Sequence, residues 1–194
     1  MNKILTNPFE KYTENKLILI GSLATILFSY IAYLSSYRLN ALLDIHLSDN
    51  ITIYQPLIDN IINVFTCSII LYLLGLYINN KTRYIDILTI SLVSRIPLYP
   101  LLIINMEGIL EDLAPYTKGH INPENIEQID PTSFVWIIIF SLCAIGALIW
   151  YMILLYNGFK TSTNSKGKKP VALFIISILL LEFLTYQLIK VLDY

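Results

Sequence analysis

Five apolar stretches, each long enough to cross a bilayer, constrain this chain more than any other feature. They run over roughly 17–34, 57–78, 85–104, 133–156 and 170–189. A hydrocarbon core about 30 Å thick needs about 20 apolar residues of helix. The expected fold is therefore all-α: a polytopic transmembrane helical bundle of five spans, with residues 1–194 forming a single transmembrane domain. Hydrophobic residues make up 56% of the chain, above the share of an ordinary soluble domain.

The lysines and arginines alternate from loop to loop. Lys3, Lys11 and Lys16 precede span 1, Lys81 and Arg83 sit in the tight loop Asn79–Tyr84, and Lys160, Lys166, Lys168 and Lys169 fill the fourth loop. These nine face only Arg38, Lys118 and Lys190 on the other side, with Arg95 left inside span 3. Cytoplasmic loops hold the excess of Lys and Arg. The N-terminus is thus expected inside and, after five crossings, the C-terminus outside. The lysines before span 1 resemble a signal n-region, but the run is too long for a signal h-region and four more spans follow. Span 1 therefore reads as an uncleaved signal anchor.

The third loop is acidic, with Glu107, Glu111, Asp112, Glu124, Glu127 and Asp130. It reads as a solvated surface loop, partly helical from Asn122-Pro123 onward. Gln55-Pro56 and Asp130-Pro131 read as starts of spans 2 and 4. The first outer loop, Ser35 to Gln55, intersperses leucines with polar residues, as in a segment lying along the membrane surface. Thr161–Lys169 reads as a flexible linker.

Arg95 falls near the middle of span 3 and Glu182 near the middle of span 5. An ionisable group there costs at least about 2.5–3.5 kcal/mol. Both spans run in the same direction, so the two charges reach similar depth and are expected to pair across the bundle. Such a pair either orients two helices or forms part of a proton or substrate relay. Just beyond Arg95, Pro97 and Pro100 each remove a backbone donor, so the helix should kink or break. Broken helices at that depth occur at transporter sites and as plain kinks.

Asp59, Asn63 and Thr66 share a face of span 2 that should turn inward. Gly21, Thr25, Ser29 and Ala32 in span 1, and Ser141, Ala144 and Ala147 in span 4, read as small-residue packing stripes. Cys67 and Cys143, inside spans 2 and 4, read as small buried apolar side chains. Tyr33, Tyr37, Tyr77, Tyr84, Trp136, Trp150, Tyr151 and Tyr156 fit interfacial belts.

Little catalytic chemistry is on offer. His46 and His120 lie in outer loops, and only Asp44, His46 and Asp49 suggest even a weak metal cluster. There is no H-E-x-x-H, no P-loop, and no Ser or Cys nucleophile with a histidine at its depth. No enzyme, cofactor or metal is expected. A net charge of -1 without a basic stripe argues against a nucleic-acid partner.

Two stretches are similar to a known family. One is Trp150-Tyr-Met-Ile-Leu-Leu-Tyr-Asn-Gly-Phe-Lys160, followed by Asn164-Ser-Lys-Gly-Lys-Lys169 and a final apolar span. The other is Asn7-Pro8-Phe9 before span 1. With the five-span layout, they resemble the Yip1 family, the second stretch looking like the Asn-Pro segment of bacterial members. The resemblance implies an integral membrane protein. Eukaryotic relatives act in the early secretory pathway and associate with small GTPases, through a longer N-terminal region than this chain shows. The family supplies no catalytic residues.

The expectation is a non-enzymatic protein of the cell membrane, the bacterial cytoplasmic membrane if the source is bacterial. Its partners would be the lipid bilayer and other membrane proteins or a second copy of itself. The alternative is a small transporter or channel subunit with a polar midplane site around Arg95 and Glu182.

Overall fold

The computed structural model describes residues 3–48, 50–104 and 131–192. A short helix α1 (Lys3–Thr6) and a 3-10 turn (Pro8–Glu10) precede α2 (Glu14–Leu34). A two-stranded hairpin follows, β1 (Tyr37–Arg38) paired antiparallel with β2 (His46–Leu47). Next come α3 (Gln55–Ile78), α4 (Tyr84–Ser94), a 3-10 turn (Ile96–Leu98) and α5 (Leu101–Ile104). After residues 105–130, which are not described, come α6 (Pro131–Thr163) and α7 (Lys168–Leu192). Among the described residues, four helices are long and apolar enough to cross a membrane: α2, α3, α6 and α7. The expected third span is the exception. It is broken into α4, the 3-10 turn and α5.

The packing follows from where small and polar residues fall. Leu17, Gly21, Thr25, Ser29 and Ala32 form the buried stripe of α2. A Cβ on Gly21 would come within 2.9 Å of Leu92 Cβ, so the absence of a side chain sets how closely α2 crosses α4. α3 lies at the centre, packed on α2, α4 and α7, while α6 packs on α4. Its buried face runs through Asp59, Asn60, Asn63, Cys67, Leu71 and Gly75. Thr66, expected on that face, sits half-buried on its shoulder. The apolar core joins Cys67, Leu71, Ile87, Ile90, Leu155, Phe159 and Leu181.

Several expectations are corrected. Cys143 is exposed on α6, not buried. Ser141 is exposed as well, so the expected stripe of span 4 is only half-buried, at Ala144 and Ala147. Tyr37 and Tyr151 are core residues, 2% and 1% exposed, rather than belt residues. The supposed flexible linker is a tight turn: α6 runs on to Thr163 and α7 begins at Lys168. Asn164 (φ 48°) and Gly167 (φ 91°) take left-handed backbone to reverse the chain there. The third-loop residues Glu107 to Asp130, including Asn122, Pro123 and His120, lie outside the described residues, as does Asp49.

Candidate functional site

The segment from Ser35 to Gln55 does not lie flat on a surface. Its hairpin pushes a tip, residues 39–45, between the helices, with Leu39, Ala41 and Leu42 no more than 1% exposed. A leucine-rich tip gains by leaving water, but its main-chain groups lose their solvation and need partners. The polar residues of α3, α4's end and α7 supply them.

Asp59 accepts a bidentate pair from Arg38, with Nε at 2.6 Å from Oδ2 and Nη2 at 3.0 Å from Oδ1. The carboxylate is fully buried and also accepts the Leu39 amide at 3.3 Å. Asn63 Nδ2 donates to the Leu39 carbonyl at 2.7 Å. Thr185 Oγ1 accepts the Leu42 amide at 3.2 Å, and Glu182 Oε2 accepts the Leu43 amide at 2.9 Å.

Arg95 caps α4 and is 1% exposed. Its Nε donates to Asn60 Oδ1 at 3.2 Å and its Nη1 to the Leu42 carbonyl at 3.3 Å. Asn60 in turn donates to Ser29 Oγ at 2.8 Å, which ties the site to α2. The expected direct pair is therefore corrected: among the described residues no ion pair joins Arg95 to Glu182. Glu182 is half-buried, and the peptide group between Leu42 and Leu43 stands between the two. Asp59 pairs with Arg38, a partner that sequence reasoning missed because it lies in a loop with no helical periodicity.

Pro97 lies in the 3-10 turn and is buried, while Pro100 precedes α5 and is exposed. The break turns Tyr99 inward. Its ring stacks on Phe28 at 5.0 Å, and its hydroxyl lies 3.1 Å from Thr25 Oγ1. His46 stays within the hairpin, 3.1 Å from Asn40 Nδ2 and 3.6 Å from Asp44. Among the described residues no group of three His, Cys, Asp or Glu side chains converges on a point.

A second polar assembly lies at the opposite end of α6. Trp150 Nε1 donates to the Leu5 carbonyl at 2.7 Å and Asn157 Nδ2 to the Thr6 carbonyl at 2.9 Å. Asn7 Nδ2 donates to Thr161 Oγ1 at 3.0 Å and to Glu10 at 2.9 Å. Phe9 then lies on Gly158, where a Cβ would come within 2.7 Å of the ring and 2.8 Å of Ile90. The N-terminal segment is thus a strap across α6. A cleft of about 360 Å³ opens beside it, lined by Phe9, Glu14, Leu17, Asp86, Ile90 and Ser162 among others. At its edge Arg83 forms a bidentate pair with Glu14 at 2.7 and 3.0 Å. That hydrogen bonding holds the guanidinium above its ordinary pKa. The pair is solvent-exposed, where water and salt screen it and little stability comes from it.

The strap joins the two stretches that resemble one family. Asn7-Pro8-Phe9 docks on Trp150, Asn157, Gly158 and Thr161, so motifs some 150 residues apart in sequence form one contact. No curated protein and no solved structure matches the chain. The family model for the Yip1 domain matches residues 4–189, which include both stretches, the hairpin, α2, α3 and α6, and α7 as far as Ile189. The chain therefore belongs to the Yip1 domain family.

Proposed function

We propose that this protein is a non-enzymatic integral membrane protein that acts through protein or lipid contacts. One observation carries the reading: the interior charges and amides hold the chain's own backbone. Asp59, Asn63, Arg95, Glu182 and Thr185 all bond main-chain groups of the hairpin tip. Those bonds give the interior charges a structural use within the chain itself. In this reading α4, the 3-10 turn and α5 make the third of five crossings. The N-terminus and the Asn164–Gly167 turn are cytoplasmic, in keeping with the distribution of lysine and arginine. The C-terminus is outside. The membrane is the cell membrane, and the partners are lipids, other membrane proteins or a second copy.

The second reading is a small transporter or channel subunit using Arg95 and Glu182. The broken helix immediately after Arg95 favours it. Against it stands the burial of Arg95 beneath the tip. A transport pathway must open to each side in turn, so sidedness decides. Single cysteines replacing Ser91 and Ser94 go into a Cys67→Ala, Cys143→Ser background and meet an impermeant maleimide from the cytoplasmic side. The contact reading expects no labelling; rapid labelling would overturn it in favour of transport. Lys11→Cys and Lys166→Cys should label only from that side, and failure to do so would overturn the topology.

A further inference from the structure

The strap and the turn after α6 frame a second cavity. It measures about 340 Å³ and is lined by Asn7, Asn157, Lys160, Asn164, Ser165 and Lys166 among others. The lining residues are polar, with two lysines and a single carboxylate, Glu10. The walls are tied down. Asn157 Nδ2 donates to the Thr6 carbonyl at 2.9 Å, and Asn7 Nδ2 reaches both Thr161 and Glu10. The Ser165 amide donates to the Lys160 carbonyl at 3.3 Å, and Asn164 takes left-handed backbone (φ 48°), which fixes the turn. Two ammonium groups with amide and hydroxyl donors around them suit the oxygens of a phosphate.

Asn157 also lines a second hollow of opposite character. This furrow of about 440 Å³ runs back along α6 past Tyr156, Ile153, Met152 and Leu148, with Leu43 of the hairpin on its wall. Leu43 and Leu148 in turn line a smaller apolar cavity of about 100 Å³ that continues along the helix to Ala144 and Phe140. From Asn157 to Leu148 the helix rises roughly 14 Å, at about 1.5 Å per residue. One leaflet of a hydrocarbon core about 30 Å thick is about 15 Å deep. A cationic pocket and an apolar furrow thus meet at one residue, in the order and over the length of a phospholipid with its head at the turn.

We infer that the two hollows form one binding site for a phospholipid with an anionic headgroup. Lys160 and Lys166 face the phosphate, Asn157 marks the boundary between head and tail, and one acyl chain lies over Met152 and Ile153. Lysines just cytoplasmic of a spanning helix favour anionic lipids in general. The furrow that continues their pocket is what makes this a site for a single lipid molecule. The inference rests on the contact reading above, with the Asn164–Gly167 turn cytoplasmic, and gives that reading a ligand class.

The test takes the full chain in neutral detergent micelles and counts bound lipid by native mass spectrometry. The probe is phosphatidylglycerol, compared with phosphatidylcholine and with glycerol phosphate as a soluble headgroup. Phosphatidylglycerol should bind about tenfold or more tighter than phosphatidylcholine, the margin of a charge-assisted hydrogen bond. Lys160→Ala with Lys166→Ala should erase that preference; both lysines are exposed, so the fold is not at stake. Lys16→Ala with Lys81→Ala removes the same charge outside the pocket and should leave binding unchanged. Met152→Trp fills the furrow and should weaken phosphatidylglycerol, while glycerol phosphate should not displace it. Equal binding of the two lipids, or an equal loss in the Lys16 and Lys81 variant, would overturn the site. Displacement by glycerol phosphate at the lipid's own concentration would overturn it in favour of a soluble anion. None of these results would touch the contact reading, which stands on labelling at Ser91→Cys and Ser94→Cys.

Discussion

Arg95 and Glu182 hold opposite ends of one peptide group. The Leu42 carbonyl accepts from Arg95 Nη1 at 3.3 Å, and the amide on the far side of the same bond, Leu43 N–H, donates to Glu182 Oε2 at 2.9 Å. The peptide dipole thus points its negative end at the cation and its positive end at the anion. Each charge is stabilised without touching the other.

A charge swap separates this arrangement from a direct ion pair. Arg95→Glu should destabilise strongly, by about 3–5 kcal/mol for an uncompensated buried charge, and the half-buried Glu182→Arg by less. The double exchange would restore a direct pair. Here it faces a carboxylate with the carbonyl and a guanidinium with the amide, so the double variant should be no more stable than the weaker single one. Unfolding in micelles measures this, and recovery toward the parent would sink the bridged geometry.

Arg38 and Asp59 do touch, and their behaviour should differ. Removing Arg38 takes the cation from a fully buried carboxylate, so Arg38→Ala should cost about 3–5 kcal/mol. Arg38→Met combined with Asp59→Leu removes both charges and should cost much less than the two single changes added together. A double-mutant cycle in detergent reads the coupling directly. Additive effects would mean that the contact carries no energy.

The strap depends on a missing side chain. Gly158→Val should push Phe9 and Ile90 away, because even a Cβ there comes within 2.8 Å of both. Trypsin should then cut at Lys11 several-fold faster, and Phe9→Ala in the same chain should relieve the accompanying loss of thermal stability. Unchanged cleavage would show that the strap does not rest on this contact.

Two glycines with empty surroundings should respond with opposite signs. Gly167 (φ 91°) meets nothing within 4 Å, so Gly167→Ala tests backbone strain alone and should cost about 1 kcal/mol. Gly146 is equally open but helical, and Gly146→Ala should stabilise by about 0.5–1 kcal/mol. Equal effects from the two would refute the conformational argument.

Helices were legible in the sequence because apolar length and helix-start signals act locally. Gln55-Pro56 and Pro131 begin helices, and the stripe Gly21, Thr25, Ser29, Ala32 is buried. Asp59 and Asn63 were legible as an inward face, since helical spacing places them together. Their partners were not. The segment from Tyr37 to Leu47 has neither helical period nor strand length, and its burial is decided by groups far along the chain, such as Thr185. Arg95 and Glu182 were found by their cost in hydrocarbon, but the peptide group between them carries no side-chain signal. The N-terminal half of α6 was misread because small residues mark packing only where a neighbour arrives. Gly158 is the reverse case: its neighbours are Phe9 and Ile90, which only tertiary structure brings to it.

The strap also sets an order of events during synthesis. Asn7 waits for Thr161, and the Leu42 amide waits for Thr185, separations of 154 and 143 residues. At about 5–20 residues per second, roughly 7–30 s pass before either contact can form. For most of that interval, once Asp59 has been made, it and Arg38 can meet, but the Leu43 amide has no carboxylate, because Glu182 has not been made. Ribosome-arrested chains ending before Thr161 should be cut freely at Lys11, and resistance should appear only once α6 is complete. Of the described helices, α7 is the last to be made, and it is the one that supplies Thr185 and Glu182 to the hairpin.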